Sequence, residues 1–210
     1  MSLSLRHVTL YHSPNTRSSG VLILLEELGA DFTLQVLNMK AGEQRGADYL
    51  AINPMGKVPA LRYGEALVTE QAALYIFLAD LYPEAALAPG FSAVLRGPYL
   101  RWMVYYASCF EPAIVDRAQK RAPAPVGLSP YGDFDTMLST VTDQLARGPY
   151  MLGEKFSAVD VLWGTALGWI TQFGLIPATP LIQAYIDRIN ARPSVLKVRQ
   201  QDAALVAAFD

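Results

Sequence analysis

The order of strand and helix patterns in the first 82 residues constrains the fold more than any other feature. A short apolar run over residues 8–11 predicts a strand. Val21, Leu24, Leu25 and Leu28 then recur at the spacing of one helix face. Ser18 or Ser19 is expected to cap the start of this helix, and Gly29 stands where a helix usually ends.

The next segments predict two more strand regions and a second long helix. Residues 32–37 predict a strand, and the polar residues 38–48 predict an irregular or weakly helical segment. Residues 60–62 and 66–69 predict a tight hairpin, and residues 71–81 carry the apolar spacing of a helix. The predicted order is therefore β-α-β-(α)-β-β-α.

This order predicts a mixed four-stranded sheet. Two strands that flank a helix pair in parallel, whereas the closing hairpin is antiparallel. With helices on both faces of the sheet, the simplest fold is the thioredoxin arrangement. The fold class is thus α/β for the first part of the chain and, as the next segments indicate, all-α for the rest.

A stretch rich in proline, alanine and glycine at residues 83–91 predicts an interdomain linker. Helix patterns alone follow it: a long one over residues 96–120 that Pro112 is expected to kink, and one that begins at a capping box of Ser157 and Asp160. The predicted domains are a thioredoxin-like domain at 1–82, a linker at 83–93 and a helical-bundle domain at 94–210.

Composition excludes several classes of function. The formal net charge of −2 gives no overall positive field for nucleic acid or anionic lipid. The one cysteine allows no disulfide within the chain, and His7 and His12 are a poor basis for zinc, so no metal site is predicted and both histidines are expected in a loop or at an edge strand. Without a signal-peptide pattern or a membrane-length apolar run, a cytoplasmic protein is expected.

Residues 53–61, with the sequence NPMGKVPAL, are the most informative stretch for chemistry. If the bond between Val58 and Pro59 is cis, the chain turns there and leaves the Val58 N–H and C=O facing outward. Such a pair is a template on which an extended peptide can add like another strand. The alternative is an ordinary trans proline at the start of a strand.

Glu70 and Gln71 stand between the last predicted strand and its helix. A helix N-terminus offers free N–H groups and a positive dipole end to a carboxylate, and Glu70 could pair with an ammonium group. One place would then bind both charges of an amino-acid head group. The alternative is a plain helix cap with no ligand.

In this order and spacing, four segments resemble the cytosolic glutathione S-transferase family in its bacterial form. They are YHSPNTRSSGVLILLEELG, NPMGKVPAL, LVTEQAALYIFLADLYP and GPYMLGEKFSAVDVLWG, and together they cover nearly the whole chain. The resemblance implies glutathione as substrate or co-substrate, a homodimer and a role in detoxification.

The resemblance also implies roles for individual residues. Val58, before Pro59, would pair through its backbone with the cysteinyl unit of glutathione, and Glu70 and Gln71 would hold the γ-glutamyl amine and carboxylate. The glycyl carboxylate would be held by Lys57, with Lys40 as a further candidate.

The reaction needs a thiolate, because a free thiol with a pKa of about 8.5 is mostly protonated at neutral pH. Many bacterial members have a cysteine after a Pro-x-x spacing, but here Pro14 leads to Arg17, so the cysteine-based mechanism is absent. We hypothesise that Ser18 and Arg17 stabilise the thiolate, with Ser13 and Asn15 as alternatives.

The second substrate implied by the family is a small hydrophobic electrophile. Trp102, Tyr105 and Tyr106 on the long helix are candidates to line its pocket, and the alternative for them is the helical core or a dimer interface. The functional hypothesis is conjugation of glutathione to such electrophiles. Glutathione-dependent isomerisation, peroxide reduction and a non-catalytic partner-binding role on the same fold remain alternatives.

Overall fold

The computed structural model describes residues 5–209. Its residues form two compact units, one running up to Ala85 and resuming from Arg192, the other spanning Ala86–Ala191. The strands and helices are β1 (Val8–His12), α1 (Arg17–Leu28), β2 (Phe32–Val36), α2 (Ala47–Leu50), β3 (Ala60–Tyr63), β4 (Ala66–Val68), α3 (Gln71–Leu81), α4 (Arg96–Tyr105), α5 (Glu111–Ala118), α6 (Phe134–Leu145), α7 (Ala158–Gln172), α8 (Pro180–Asn190) and α9 (Pro193–Phe209).

The first unit contains the predicted four-stranded sheet, in the order β2-β1-β3-β4. Strand β1 pairs in parallel with β2, whereas β1 with β3 and β3 with β4 are antiparallel. Leu10 lies opposite both Leu34 and Leu61, and both Leu10 and Leu61 are fully buried. The mixed sheet and its thioredoxin-like order of elements are confirmed.

Helix α1 begins two residues earlier than the first of its predicted caps, Ser18, allows. Thr16 is extended and its Oγ1 accepts a hydrogen bond from the Ser18 N–H, so Thr16 is the N-cap and the expected cap at Ser18 or Ser19 was wrong. An N-cap side chain accepts a hydrogen bond from the backbone N–H two or three residues further along the chain. Thr16, Ser18 and Ser19 all carry a hydroxyl that can do this, so the sequence alone did not single out Thr16. Gly29, with φ of 60°, ends the helix as predicted.

Helix α9 belongs to the first unit, where it packs along α1. Val195 and Val198 are each 1% exposed on one face of α9. The predicted helical domain at 94–210 therefore differs from the observed second unit at its C-terminal boundary. An apolar helix face in a sequence predicts that the face is covered, but it does not say which neighbour covers it.

The second unit is built from helices α4 to α8. A π-helical segment, Tyr106–Phe110, lies between α4 and α5, just before Pro112, where the sequence predicted a kink. Proline lacks an N–H and its ring crowds the preceding turn, so a wider turn just before it is the expected adjustment.

Helix α7 forms the centre of the second unit. Its start is the predicted capping box, in which Ser157 and Asp160 each bond to the backbone of the other. Asp160 also accepts hydrogen bonds from the Met151 N–H and the Tyr185 hydroxyl, so a fully buried carboxylate is surrounded by donors. Across residues 5–209, no helix has both the length and the apolar character that crossing a bilayer requires.

Candidate functional site

One end of the sheet brings together the three segments that the sequence singled out. Tyr11 near the end of β1 lies opposite Ala60 at the start of β3, and Leu61 lies opposite Val68 at the end of β4. The loop after β1, the segment before β3 and the turn after β4 therefore meet at this end. We call it the β1 carboxyl edge, and it comprises residues 12–19, 57–59 and 69–71.

At this edge, the peptide bond between Val58 and Pro59 is cis, the alternative that the sequence left open. Val58 is half-buried and packs against a small core that includes Tyr11 and Tyr49. Among residues 5–209, no hydrogen bond within the protein uses the Val58 N–H or C=O. The side chain of Lys57 is exposed. The backbone of Val58 is thus available to a ligand.

Two residues that the sequence analysis missed hold this segment in place. The Tyr49 hydroxyl and the Asn53 side-chain amide both donate to the Lys57 carbonyl, at 2.6 and 2.9 Å. Asn53 also accepts from the Met55 N–H at 3.1 Å. The signal was present in the sequence, since an Asn-Pro pair favours a turn in which the asparagine side chain bonds to the backbone two residues on.

Glu70 has an uncommon backbone conformation, with φ of 65° and ψ of 113°. It immediately precedes α3, its side chain is exposed, and that side chain makes no hydrogen bond to cap the helix. The Glu70 carboxylate instead accepts from the Thr69 hydroxyl at 3.3 Å. The N–H groups of α3 and an exposed carboxylate are therefore presented side by side.

The starts of helices α1 and α3 are joined at the same edge. The Gln71 side-chain amide donates to the Arg17 carbonyl at 3.3 Å. Lys40 follows β2, whose last residue lies opposite His12, so Lys40 leaves the sheet at the same end and is exposed. The structure thus brings all of the predicted glutathione-binding residues to one end of the sheet.

The loop after β1 differs from the prediction for Ser18. Ser18 is fully buried, and its Oγ lies 2.6 Å from Thr16 Oγ1 and 2.8 Å from His12 Nδ1. Its Oγ accepts from the Ser13 N–H at 3.1 Å and lies at the same distance from the Ser13 carbonyl oxygen. Because Ser18 is buried among these partners, its hydroxyl is not presented to a ligand, in contrast to the prediction that it faces the thiolate. Ser13 is buried as well.

Asn15 and Arg17 are the two predicted loop residues that reach the surface. Asn15 is exposed and has φ of 55°, a left-handed conformation that asparagine tolerates better than most residues. Arg17 is half-buried and is the first residue of α1. Both flank the positive end of the α1 dipole.

Behind the loop lie two further residues that the sequence analysis did not assign. His12 is 0% exposed rather than a loop or edge residue, since β1 is an inner strand of the sheet. Its Nε2 lies 3.0 Å from the carboxylate of Asp202 on α9. Asp202 is 4% exposed and stands seven residues after Val195 on the buried face of α9. A carboxylate in an otherwise apolar helix stripe was the signal that could have found it.

Two of the three aromatic residues predicted to line a hydrophobic pocket lie instead in the core of the second unit. Trp102 and Tyr106 are 1% and 3% exposed, and their rings pack at 5.8 and 5.7 Å from the ring of Trp163. Tyr105 is half-buried and donates to the Met137 carbonyl at 3.1 Å. For Trp102 and Tyr106 the core alternative is therefore correct.

No group of three or more histidine, cysteine, aspartate or glutamate side chains among residues 5–209 is placed to bind a metal ion. The β1 carboxyl edge presents hydrogen-bond donors, helix ends and charged side chains. That set of groups suits a ligand with both carboxylate and ammonium charges.

Comparison with known proteins identifies the family. The model of the glutathione S-transferase N-terminal domain matches residues 15–81, and that of the C-terminal domain matches residues 131–193. A glutathione transferase homologue from Sulfitobacter, solved with bound glutathione, is 31% identical with a TM-score of 0.76, over 93% of this chain and 98% of that one. The chain belongs to the glutathione S-transferase family.

Other members show the same full-length similarity. Glutathione S-transferase GstA of Escherichia coli O157:H7 is 29% identical over 189 residues, which are 89% of this chain and 94% of the relative. A glutathione transferase from Methylococcus capsulatus has a TM-score of 0.79 and 30% identity over 94% of this chain and 99% of that one. Most of the β1 carboxyl edge falls within the matched N-terminal domain, whereas Asp202 lies beyond both matched segments.

Proposed function

We propose that this member of the glutathione S-transferase family is a transferase that conjugates the thiolate of glutathione to small hydrophobic electrophiles. The observation that supports it most is the meeting of three elements at the β1 carboxyl edge. They are the unpaired backbone of Val58, the exposed carboxylate of Glu70 and the uncapped start of α3. The Sulfitobacter homologue with bound glutathione supports the choice of ligand.

Each part of glutathione has a matching group in this proposal. The cysteinyl backbone pairs with the Val58 N–H and C=O as an added strand. The γ-glutamyl ammonium pairs with the Glu70 carboxylate, and its carboxylate accepts from the N–H groups at the start of α3, beside Gln71. The glycyl carboxylate pairs with Lys57 in this proposal, with Lys40 as a further candidate, and both side chains are exposed.

The thiolate is stabilised in this proposal by Asn15, Arg17 and the N-terminus of α1. Lowering the pKa of the thiol by about two units requires about 2.7 kcal/mol of preferential stabilisation of the anion. A hydrogen bond, a positive charge and a helix dipole each contribute to such a shift. The thiolate then attacks an electrophilic carbon, forms the C–S bond, and the leaving group departs with the bonding electron pair.

Of the residues predicted for the electrophile pocket, Tyr105 remains a candidate, since Trp102 and Tyr106 are buried in the core. The homodimer, the cytoplasmic location and the role in detoxification that the family resemblance implies stay predictions.

Isothermal titration with glutathione tests the proposed site. Glu70→Ala removes the partner of the ammonium group and should weaken binding about 10- to 100-fold, as expected for the loss of a charge-assisted hydrogen bond. Glu65→Ala is the matched control, because Glu65 is an equally exposed glutamate in the turn at the opposite end of the β3–β4 hairpin. It should bind glutathione like the wild type.

Equal affinity of the two variants would contradict the assigned role of Glu70. If the wild-type protein does not bind glutathione at all, the non-catalytic partner-binding role replaces the transferase. Where binding is observed, product analysis with an aryl halide, an isomerisable substrate and an organic peroxide separates conjugation from isomerisation and peroxide reduction, because these reactions share the same thiolate.

A further inference from the structure

The carboxylate of Asp202 on α9 contacts the loop of the β1 carboxyl edge at three places. Its Oδ2 accepts from the Asn15 N–H at 3.1 Å and from the Ser19 hydroxyl at 2.5 Å. Its Oδ1 lies 3.0 Å from His12 Nε2. One side chain from the end of the chain thus bonds to the end of β1, to the middle of the loop and to the first turn of α1.

From Asp202 the contacts continue through His12 to the base of the loop. His12 Nδ1 lies 2.8 Å from Ser18 Oγ, and that oxygen accepts from the Ser13 N–H at 3.1 Å. His12 and Ser18 are both fully buried. The loop is therefore held at the backbone of Ser13 through this buried series of side chains and at Asn15 by Asp202 itself.

The hydrogen bonds to Asp202 also affect its carboxyl group. Burial raises the pKa of Asp202, but the hydrogen bonds from His12, Ser19 and the Asn15 N–H, with the electrostatic effect of His12, outweigh burial and hold the pKa below its ordinary value. An ionised carboxylate only accepts hydrogen bonds, so His12 Nε2–H donates to it. On the other side of the ring, His12 Nδ1 lies 2.8 Å from Ser18 Oγ.

A serine, a histidine and an aspartate in series also describe the catalytic triad of hydrolases. Here the serine cannot act as a nucleophile, because Ser18 is fully buried and its Oγ is also bonded to Thr16 and to the backbone of Ser13. The series is suited to fixing the loop rather than to attacking a substrate.

Helix α9 is itself firmly held, so the position of Asp202 is well defined. The Arg192 guanidinium donates to both carboxylate oxygens of Glu27 on α1, at 2.7 and 2.6 Å. Lys197 pairs with Glu26 at 2.6 Å. Arg192 immediately precedes α9, and Lys197 lies on α9 five residues before Asp202.

We infer that Asp202 is a positioning residue for activation of the glutathione thiol, acting through the loop that presents Asn15 and Arg17. The inference rests on the proposed function. It extends the functional unit from the matched N-terminal domain to α9, where Asp202 lies outside both matched segments. Asp202 touches neither substrate in this role; it sets the backbone of the residues that do.

The test compares Asp202→Asn with the wild type by two measurements. Ultraviolet absorbance of the thiolate across pH gives the thiol pKa of bound glutathione, and titration with S-methylglutathione gives the affinity of the peptide site without a thiol. Asp202→Asn should raise the thiol pKa of bound glutathione by about one unit. The fraction of bound glutathione that is ionised at neutral pH then falls by up to about tenfold. The affinity for S-methylglutathione should change less than about threefold, because Val58 and Glu70 are untouched.

Lys197→Ala is the control, since it removes another contact between α9 and α1 and leaves the loop intact. It should keep the wild-type thiol pKa. If Asp202→Asn does not fold, Ser18→Ala takes its place. This variant breaks the same series of side chains next to Ser13, and it should raise the thiol pKa by the same amount.

The outcomes separate the two proposals. A wild-type protein that does not bind glutathione removes the proposed function itself. A wild-type protein that binds glutathione, together with a variant whose thiol pKa is unchanged, overturns only the role of Asp202. If the fold loss of affinity for S-methylglutathione in Asp202→Asn equals the fold loss of thiolate at neutral pH, Asp202 supports the structure of the whole site. This result too would overturn the inference.

Discussion

At the residue scale, the candidate site is built on backbone conformations that most residues avoid. Asn15 and Glu70 have φ of 55° and 65°, and both lie at the β1 carboxyl edge. A non-glycine residue in such a conformation costs about 1–3 kcal/mol, which the surrounding structure has to offset. In Glu70 this conformation directs the chain from β4 into α3 while the side chain stays exposed. Strain at this place supports a binding role.

The backbone conformation of Gly56 also shapes the candidate site. It precedes Lys57, has φ of 58°, and a Cβ there would lie 2.8 Å from the Gln44 carbonyl oxygen. Gly56→Ala should therefore lower the free energy of unfolding by about 2–4 kcal/mol, because it adds a backbone clash to an unfavourable φ. Chemical denaturation gives this value, and glutathione titration should show weaker binding as the segment before Pro59 shifts.

Gly64→Ala is the matched substitution. Gly64 has a similar φ of 54°, but a Cβ there meets nothing within 4 Å. It should cost only about 1–2 kcal/mol from the backbone conformation, and glutathione affinity should not change. Equal destabilisation by the two alanines would show that the contact with Gln44 is unimportant.

At the element scale, the pairing of α1 with α9 decides how the loop is held. The contact combines a buried apolar stripe on α9 with two carboxylates of α1, Glu26 and Glu27. Burial raises the pKa of Glu27, but the hydrogen bonds from Arg192 and Ser194 and the charge of Arg192 outweigh it, so the net effect is a lowered pKa. Glu27 therefore favours the folded state in its ionised form.

This lowered pKa predicts a stability change with pH. A carboxyl group whose pKa is lower in the folded state contributes its stabilisation above the ordinary pKa of about 4.5, and loses it as the pH falls through the folded value. The wild type should lose stability on acidification below about pH 4.5, and Glu27→Gln should lose less over the same interval. Urea unfolding at stepped pH values measures both slopes.

Asp48→Asn is the control for this experiment, because Asp48 is an exposed carboxylate on α2. Its slope should match the wild type. If Glu27→Gln has the wild-type slope as well, the ion pair with Arg192 does not contribute to acid sensitivity.

At the scale of the whole molecule, the chain leaves the first unit after Ala85 and returns to it at Arg192. The unit that carries the candidate site is therefore made from both ends of the chain. Helix α9 packs on α1 and brings Asp202 to the loop that follows β1. In the proposed mechanism, activation of glutathione therefore depends on a residue more than a hundred positions away in sequence.

Two substitutions on α9 test this arrangement. Val198→Ala removes methyl groups from a residue that is 1% exposed and should lower the free energy of unfolding by about 1–3 kcal/mol. Leu196→Ala truncates a neighbouring residue that is 56% exposed, so its cost should be within about 0.5 kcal/mol. Chemical denaturation followed at the first unit measures both, and equal costs would argue against the packing of α9 on that unit.

Most of the architecture follows from local patterns in the sequence. Apolar periodicity predicted β1, α1, β2 and the hairpin in the correct order, and the bounds of α3 match those observed, because alternation and helical spacing are local properties of the chain. The capping box of α7 was predicted from local sequence as well. The segments around Val58 and Glu70 could be chosen from local chemistry and family resemblance.

Tertiary contacts set the exposure of the loop side chains. From the sequence, Ser18 and Arg17 were the preferred candidates with Ser13 and Asn15 as alternatives, and burial separates Ser13 and Ser18 from Asn15 and Arg17. The same is true of Trp102 and Tyr106, which proved to be core residues. His12 and Asp202 are 190 positions apart in sequence, and they act together only because α9 packs against the unit that contains β1. Contacts of this kind depend on which surfaces meet, and local sequence patterns carry no information about that.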